Sequence, residues 1–459
     1  MNIAPYPTYQ PSGVEWLGNI PKDWSVKRLK WSVDGCFNGV WGDEPDGIDD
    51  VVCLRVADFN RDNYTISTEA LTLRAIEAKQ LESRKLKRGD LLIEKSGGGE
   101  KQLVGCVVYF DHEFDAVCSN FVARMPVAEG HLPRYWAYVH AGLYAGKLNY
   151  PAIKQTTGIQ NLDAALYLDT LAAYPPLAEQ QQIAAFLDWK TSQIDALIAK
   201  KQALLQKLKE KRLAVITQAV TKGLNPDAPM RDSGIAWLGK VPAHWGVKRL
   251  RFGVQRIEQG WSPQCDNQPA EDDEWGVMKV GCVNGDAFNV LENKALPPEL
   301  LALAEYELQP KDILISRANT KELLGSAAIV PLNVRSKLLL CDKLFRLRPE
   351  STIDEEFLTC YLRTPVARYQ YEREATGASG SMQNIGQSTL KNLVLPVPPL
   401  DEQRTIFEFI QLETSRLDDL MNNADAAITR LTEYRSALIT AATTGKIDVR
   451  GWQAPQETV

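Results

Sequence analysis

Two stretches of this 459-residue chain are near copies of one another. SGVEWLGNIPKDWSVKRLKW begins at Ser12 and SGIAWLGKVPAHWGVKRLRF at Ser233, and PPLAEQ from Pro175 recurs as PPLDEQ from Pro398. The spacing between copies barely drifts over nearly half the chain, so the second half restates the architecture of the first. The period far exceeds the roughly 20 to 50 residues of solenoid or propeller units, so each copy is domain-sized. A tandem duplication of this kind predicts two similar modules carrying two similar sites.

Composition bounds the class. Hydrophobic residues at 44% and charged residues at 24% fit a soluble globular chain. No apolar run approaches the roughly 20 residues that span a bilayer, and MNIAPYPTYQ lacks the basic and apolar regions of a secretory signal. A cytoplasmic protein is expected. The eight cysteines contain no CxxC and read as small buried hydrophobes rather than a disulfide framework. Cys106, His112 and Cys118 lie close in sequence, but a fourth ligand is missing and the second copy has no matching histidine. No metal site is expected. The net charge of −6 argues against wholesale coating of nucleic acid but leaves a local basic patch open.

Each copy opens on the Trp-rich segment. Its inner basic clusters are Lys27, Arg28 and Lys30, or Lys248, Arg249 and Arg251. Trp16, Trp24, Trp237 and Trp245 read as anchors that dock this arm by packing. Short apolar runs such as VVCLRV from Val51 and GVMKV from Gly276 read as buried strands. RGDLLIEKSGGG from Arg88 aligns with QPKDILISRANT from Gln309, and CSNFVARMP from Cys118 with CDKLFRLRP from Cys341. The cysteine alignment carries the same spacing as the two PPL-EQ segments. Strands and helices without regular alternation give an α+β class.

After each PPL-EQ segment the pattern becomes that of one long helix. Ile183, Leu187, Ile194, Leu197, Leu204, Leu208 and Val215 step at helical spacing. Ile406, Ile410, Leu417, Leu420, Ala427, Leu431 and Leu438 repeat that series position for position in the second copy. Two proline-free helices with matching heptad-like seams are expected to pack together as an antiparallel coiled coil. At 1.5 Å per residue each is about 60 Å long. The expected divisions are a module at 1–176, a helix at 177–223, a module at 224–399, a helix at 400–446 and a tail at 447–459. An antiparallel pair makes the whole pseudo-two-fold and separates the modules. Duplex DNA offers equivalent groove faces about 34 Å apart, so such a protein could read two half-sites.

Catalytic motifs fail on spacing or on repetition. SGGGEK from Ser96 lacks the phosphate-cradling GxxxxGK[ST] pattern, and its partner SRANTK has no glycine. Pro45-Asp46 with Glu77 and Lys79 loosely imitates a metal-dependent nuclease, without a counterpart in the second copy. LNPDAP from Leu224 lacks the second proline and the aromatic of an amino-methyltransferase motif. Nucleophile elbows and paired zinc-binding histidines are absent from the sequence.

Two polar clusters suit nucleic acid instead. Lys95, Ser96, Lys101 and Gln102 align loosely with Arg317, Asn319 and Lys321, combining phosphate-binding cations with groups that read base edges. Gly97, Gly98 and Gly99 face Ala318, Asn319 and Thr320 in that alignment. Lys154, Gln155, Thr156 and Thr157, with Gln160 and Asn161, stand opposite Ser379, Ser381, Gln383 and Asn384. Any one of these residues alone reads as a solvated loop or a helix cap. The recurring Gln-Asn pair points to a shared architectural role.

The doubled SG--WLG-IP--W-VKRL arm, the doubled PPL-EQ--I helix start and their half-chain spacing closely resemble the specificity subunit of type I restriction-modification enzymes. The resemblance covers almost the whole chain. It implies two target recognition domains separated by conserved helices that set the spacer of an asymmetric, bipartite DNA site. It further implies a non-catalytic subunit without cofactors of its own. Its expected partners are double-stranded DNA, two modification subunits that methylate adenine with S-adenosylmethionine, and two ATP- and Mg-dependent restriction subunits. Base-contacting residues vary with the target in this family, so none is carried over. An unrecognised nuclease or methyltransferase site in the first module, and a scaffold that binds only protein, remain the competing readings.

Overall fold

The computed structural model describes residues 4–99, 102–156, 158–285, 287–377 and 382–455. It divides into two compact units, Met1–Ala203 with Ala424–Val459, and Leu204–Asn423. Each unit holds one globular module and a segment of each long helix. The unit boundaries therefore fall inside the helices Leu177–Lys222 and Leu400–Thr443, not at their ends.

Both modules have one topology. In unit 1 the strands Val107–Tyr109, Leu91–Glu94, Val122–Met125 and Phe37–Asn38 lie side by side, all antiparallel. In unit 2 the same places are taken by Ala327–Ile329, Ile313–Ser316, Leu344–Pro349 and Val254–Gln259. A second sheet pairs Asp50–Leu54 parallel to Ala116–Cys118 and antiparallel to Thr72–Ala75. Gly276–Met278 repeats this with Leu338–Leu339 and Asn293–Ala295. The central strands are continuous apolar runs because both faces are covered: Leu91, Leu92 and Ile93, like Ile313, Leu314 and Ile315, are fully buried. Mixed sheets with helices make each unit α+β.

Strand register corrects one alignment. Glu94 lies opposite Val122, and Ser316 opposite Leu344. Lys95 N donates to Phe121 O at 2.8 Å, just as Arg317 N donates to Lys343 O at 2.8 Å. Phe121 therefore corresponds to Lys343, one position earlier than the pairing of Cys118 with Cys341 implies, and Gly97 corresponds to Asn319 rather than Ala318. The buried turn aspartates agree. Asp90 accepts from Lys87 N at 2.7 Å and pairs with Arg124, while Asp312 accepts from Gln309 N at 2.8 Å and pairs with Arg346.

The repeated motifs meet. Glu179 of the first PPL-EQ segment accepts a hydrogen bond from Trp24 Nε1 at 3.0 Å and another from the Tyr6 hydroxyl. Glu402 accepts from Trp245 Nε1 at 3.1 Å and contacts His244 Nε2 at 2.8 Å. Trp24 and Trp245 are buried anchors, whereas Trp16 and Trp237 are only half-buried. The following glutamines brace the module: Gln180 accepts from Leu132 N and Gln403 from Asp354 N, at 3.0 and 2.8 Å. Each arm is also tied to the end of a long helix. Lys446 Nζ donates to Leu17 O and Asn19 O at 2.7 and 2.6 Å. Lys222 Nζ does the same to Leu238 O at 2.9 Å and to Lys240 O.

Within each unit the helix segments run antiparallel. In unit 1, Ile183, Leu187, Ile194 and Ile198 share a core with Leu431, Leu438, Ile439 and Ala442. In unit 2, Ile216, Ala219 and Val220 share one with Ile406 and Ile410. Leu208 and Leu417 are buried and Val215 and Ala427 half-buried. Leu197, Leu204 and Leu420, by contrast, are 43%, 42% and 53% exposed. The stripe passes through Ile198, Leu205 and Met421 instead. At all three places two adjacent residues are apolar, and only the packing partner chooses between them.

Charged residues also fix the register. Arg435 grips Asp195 through Nε–Oδ1 at 2.8 Å and Nη2–Oδ2 at 3.2 Å. Arg212 Nε reaches Asp418 Oδ1 at 3.0 Å. Asp418 is the repeat counterpart of Asp195, and Arg435 that of Arg212, so one ion pair occurs twice. The copies differ in burial: the arginine side chain is 5% exposed in unit 1 and 21% in unit 2. Arg435→Ala is expected to destabilise unit 1 by about 2–3 kcal/mol, and Arg212→Ala to cost unit 2 about 1 kcal/mol or less. Denaturant titration of the two variants checks the order, and equal midpoints would contradict it.

Candidate nucleic-acid interface

In each unit the two polar clusters come together as one small sheet. Ser96–Gly97 pairs antiparallel with Ile159–Leu162, placing Ser96 opposite Asn161 and Gly97 opposite Gln160. In unit 2 Ala318 lies opposite Asn384 and Asn319 opposite Gln383. The register is identical. In unit 1 the strand Ile153–Thr156 adds a third member, with Lys154 opposite Asn161 and Gln155 opposite Gln160.

Strand alternation then sorts the side chains. Gln160 and Leu162 are buried, while Ile159 and Asn161 are exposed. Ser96, Asn161 and Lys154 consequently form one row across the outer face, with Ser96 Oγ donating to Asn161 Oδ1 at 2.6 Å. Lys154 Nζ is held 2.8 Å from Asp163, and Lys95 Nζ donates to Asn38 Oδ1 at 2.6 Å. Gln102 and Gln155 are exposed. The row offers cations, a hydroxyl and amides, which suits phosphate and base-edge contacts.

Beneath the row the support is built from buried polar groups. Gln160 Oε1 accepts from Val104 N at 3.0 Å, and its Nε2 donates to Gly99 O at 3.2 Å. Gly98 has φ +66°, and a Cβ there would stand 2.6 Å from Gln102 O. Gly97 rides directly on Glu94, since its Cβ would lie 2.7 Å from Glu94 Oε1. Glu94 is fully buried with Arg61 Nη2 at 3.0 Å. Burial pushes its carboxyl above the usual range, and the guanidinium opposes that shift. Ser316 takes this place in unit 2, its hydroxyl donating to Leu323 O at 2.8 Å.

Unit 2 changes the picture for one candidate. Asn319 is 6% exposed; its Nδ2 donates to Asn284 Oδ1 at 2.8 Å and its Oδ1 accepts from Thr320 N at 2.9 Å. Both ends of this amide are used inside the module, so Asn319 braces the loop and does not face outward. Arg317 is half-buried, with Nη1 3.4 Å from Asp342 O, and Lys321 is exposed. Lys101, Thr157, Ser379 and Ser381 lie outside the described residues, as does the side chain of Thr156.

Of the residues named for a competing nuclease, Glu77 and Lys79 line one surface pocket and Asp46 is not part of its lining. Glu77 precedes the short helix Ala78–Arg84 without a side-chain capping bond, and Asp46 accepts from Ile48 N at 2.9 Å. Among the described residues the acids close enough to hold an ion are Asp354, Glu355 and Glu356 of unit 2, which include neither Glu77 nor Asp46. Asp354 is already used as a helix cap, accepting from Phe357 N at 3.0 Å. Cys106 and Cys118 lie in one apolar core, while His112 stacks on Phe114 with ring centroids 5.0 Å apart. Among the described residues no helix is long and apolar enough to cross a membrane.

A family model described as the type I restriction modification DNA specificity domain matches residues 289–430. The EcoEI specificity subunit of Escherichia coli is 27% identical over 52% of the chain, which spans 40% of that protein's length. The EcoKI specificity subunit of Escherichia coli strain K12 is 24% identical, covering 81% of the chain and 78% of the relative. A putative MjaX specificity subunit of Methanocaldococcus jannaschii is 22% identical over 95% and 96%. A chain from a structural study of complex assembly and conformational transition of the type I R-M system superimposes with a TM-score of 0.69. That match is 16% identical and covers 93% of this chain and 99% of the other. Residues 289–430 thus match a type I restriction modification DNA specificity domain, and the chain is similar over most of its length to type I restriction enzyme specificity subunits.

The loop support can be tested locally. Gln160→Ala leaves Val104 N and Gly99 O unpaired, and Gly98→Ala forces a Cβ into a carbonyl. Both are expected to speed amide exchange across residues 95–104 by roughly 5- to 100-fold. Exchange in the two long helices should stay unchanged; loss of protection there as well would show that the loop is not a separate unit.

Proposed function

We propose that each unit is a target recognition domain that reads one half of an asymmetric, bipartite site in double-stranded DNA. The long helices set the unspecified spacer between the halves. The chain is the non-catalytic reader of its complex. It directs adenine methylation by two modification subunits and restriction by two ATP-dependent subunits, with S-adenosylmethionine, ATP and Mg held by those partners in the cytoplasm. One observation carries this reading. The reading loop and the Gln-Asn strand pair at one register in both units, while the outward residues on that common frame differ. Equal frames with unequal faces are what two different half-sites require.

Mapping methylated adenine in cells with and without this chain tests the reading. A single two-part motif with a fixed gap is expected to disappear with the chain. The assembled complex should bind that site with an affinity that falls steeply as salt rises, because phosphate contacts release counterions. A gapless motif, or binding indifferent to sequence and salt, would leave the pure-scaffold reading in place.

The helices have a separate test. Removing four residues, about one turn or 6 Å, from the first long helix between Leu197 and Val215 is expected to shorten the gap or abolish activity. Both half-site sequences should persist in the methylation map. A changed half-site would assign sequence reading, not spacing, to the helices.

A further inference from the structure

The turn after Cys118 is where the two units agree in backbone and diverge in side chain. In unit 1, Phe121 O accepts from Lys95 N at 2.8 Å and from Ser96 N at 3.3 Å, and Val122 N closes the turn on Ser119 O at 3.0 Å. In unit 2, Lys343 O accepts from Arg317 N at 2.8 Å, and Leu344 N closes the turn on Cys341 O at 3.2 Å. Phe121 and Lys343 thus occupy one pedestal, clasped to the first residue of the reading loop. That loop residue is a cation in both units. The pedestal residue is an aromatic ring in one and an ammonium in the other.

Phe121 is 59% exposed although Cys118, Ser119 and Val122 around it are buried to within 1%. A phenylalanine so displayed on a well-packed turn has no core to fill. Its place beside Lys95 and Ser96 puts an apolar surface next to groups suited to phosphate and base edges. A ring can meet a thymine methyl group or lie against a base, whereas an ammonium can only donate hydrogen bonds. A surface for a partner protein present in two copies would be expected to recur in both units. This position does not recur.

We propose that Phe121 contacts the bases of one half-site and that Lys343 makes the corresponding polar contact in the other. The proposal rests on the DNA-reading function above and adds the position that gives the two units different preferences. Lys95 and Arg317, at the root of the turn, supply the sequence-independent part of the contact.

The test uses the whole complex with its modification subunits, mapping the methylated motif for Phe121→Ala, Phe121→Leu and Lys343→Ala. Phe121→Ala should relax one or two base pairs in a single half-site and slow methylation of the original site by roughly 5- to 100-fold. Phe121→Leu, which keeps an apolar tip, should retain more of the preference, and Lys343→Ala should relax only the other half-site. The unfolding midpoint of the alanine variants should not move, because both side chains are exposed. An unchanged motif and rate, or a failure to assemble with the modification subunits, would overturn the proposal, the latter by assigning the ring to protein docking. Absence of a two-part motif in the unaltered complex would instead remove the underlying function.

Discussion

In each unit the arm is joined to the start of a long helix by one hydrogen bond from an indole to a carboxylate. Glu179 and Glu402 each hold the anchor tryptophan of an arm, and each is the glutamate of a PPL-EQ segment that starts a long helix. The hydrogen bond therefore joins three things at once: the arm, the module that follows it, and the helix that leaves it. The Glu402 side chain stays 31% exposed, whereas Glu179 is withdrawn from water, where a charged acceptor makes a strong bond when satisfied and a costly one when left open. That asymmetry explains why both motifs are kept so faithfully in the two copies while the loops between them diverge.

Much of the architecture could be read from the sequence because it is carried by local rules. The duplication pointed to two modules of one topology, and the apolar runs at Leu91 and Ile313 to their central strands. The seam failed at Leu197, Leu204 and Leu420 for a physical reason. Ile198, Leu205 and Met421 are equally apolar neighbours, and burial is decided by the partner helix rather than by the residue's own type. The Asp195 and Arg435 pairing was written in the sequence too, as acids and bases at one common offset, but charges so far apart have no meaning until a register brings them together.

The candidate interface was legible only as a neighbourhood. Both polar clusters join one sheet, and Gln160, singled out by its recurrence, proves to be its buried brace. Asn319 carries the right chemistry for a base contact but spends both ends of its amide inside the module. Glu94 and Arg61 gave no signal, since a salt pair beneath a loop needs the fold before it exists. Phe121, proposed above as a base contact, gave no sequence signal, since its exposure among buried neighbours is known only from the fold.

The composition of unit 1 bears on the order in which the protein can form. Unit 2 is one continuous stretch, whereas unit 1 is made from both ends of the chain. Ala4 O accepts from Asp448 N at 2.9 Å, and Lys446 closes the arm that begins near Leu17. Contacts that join the two ends of so long a chain carry a large loop-closure entropy and are made late. Trp24 already finds Glu179 within the first stretch, whereas the bonds from Lys446 to Leu17 and Asn19 need the residues after the last helix. Unit 1 is thus completed only by the last-synthesised residues, while every residue of unit 2 lies within one stretch.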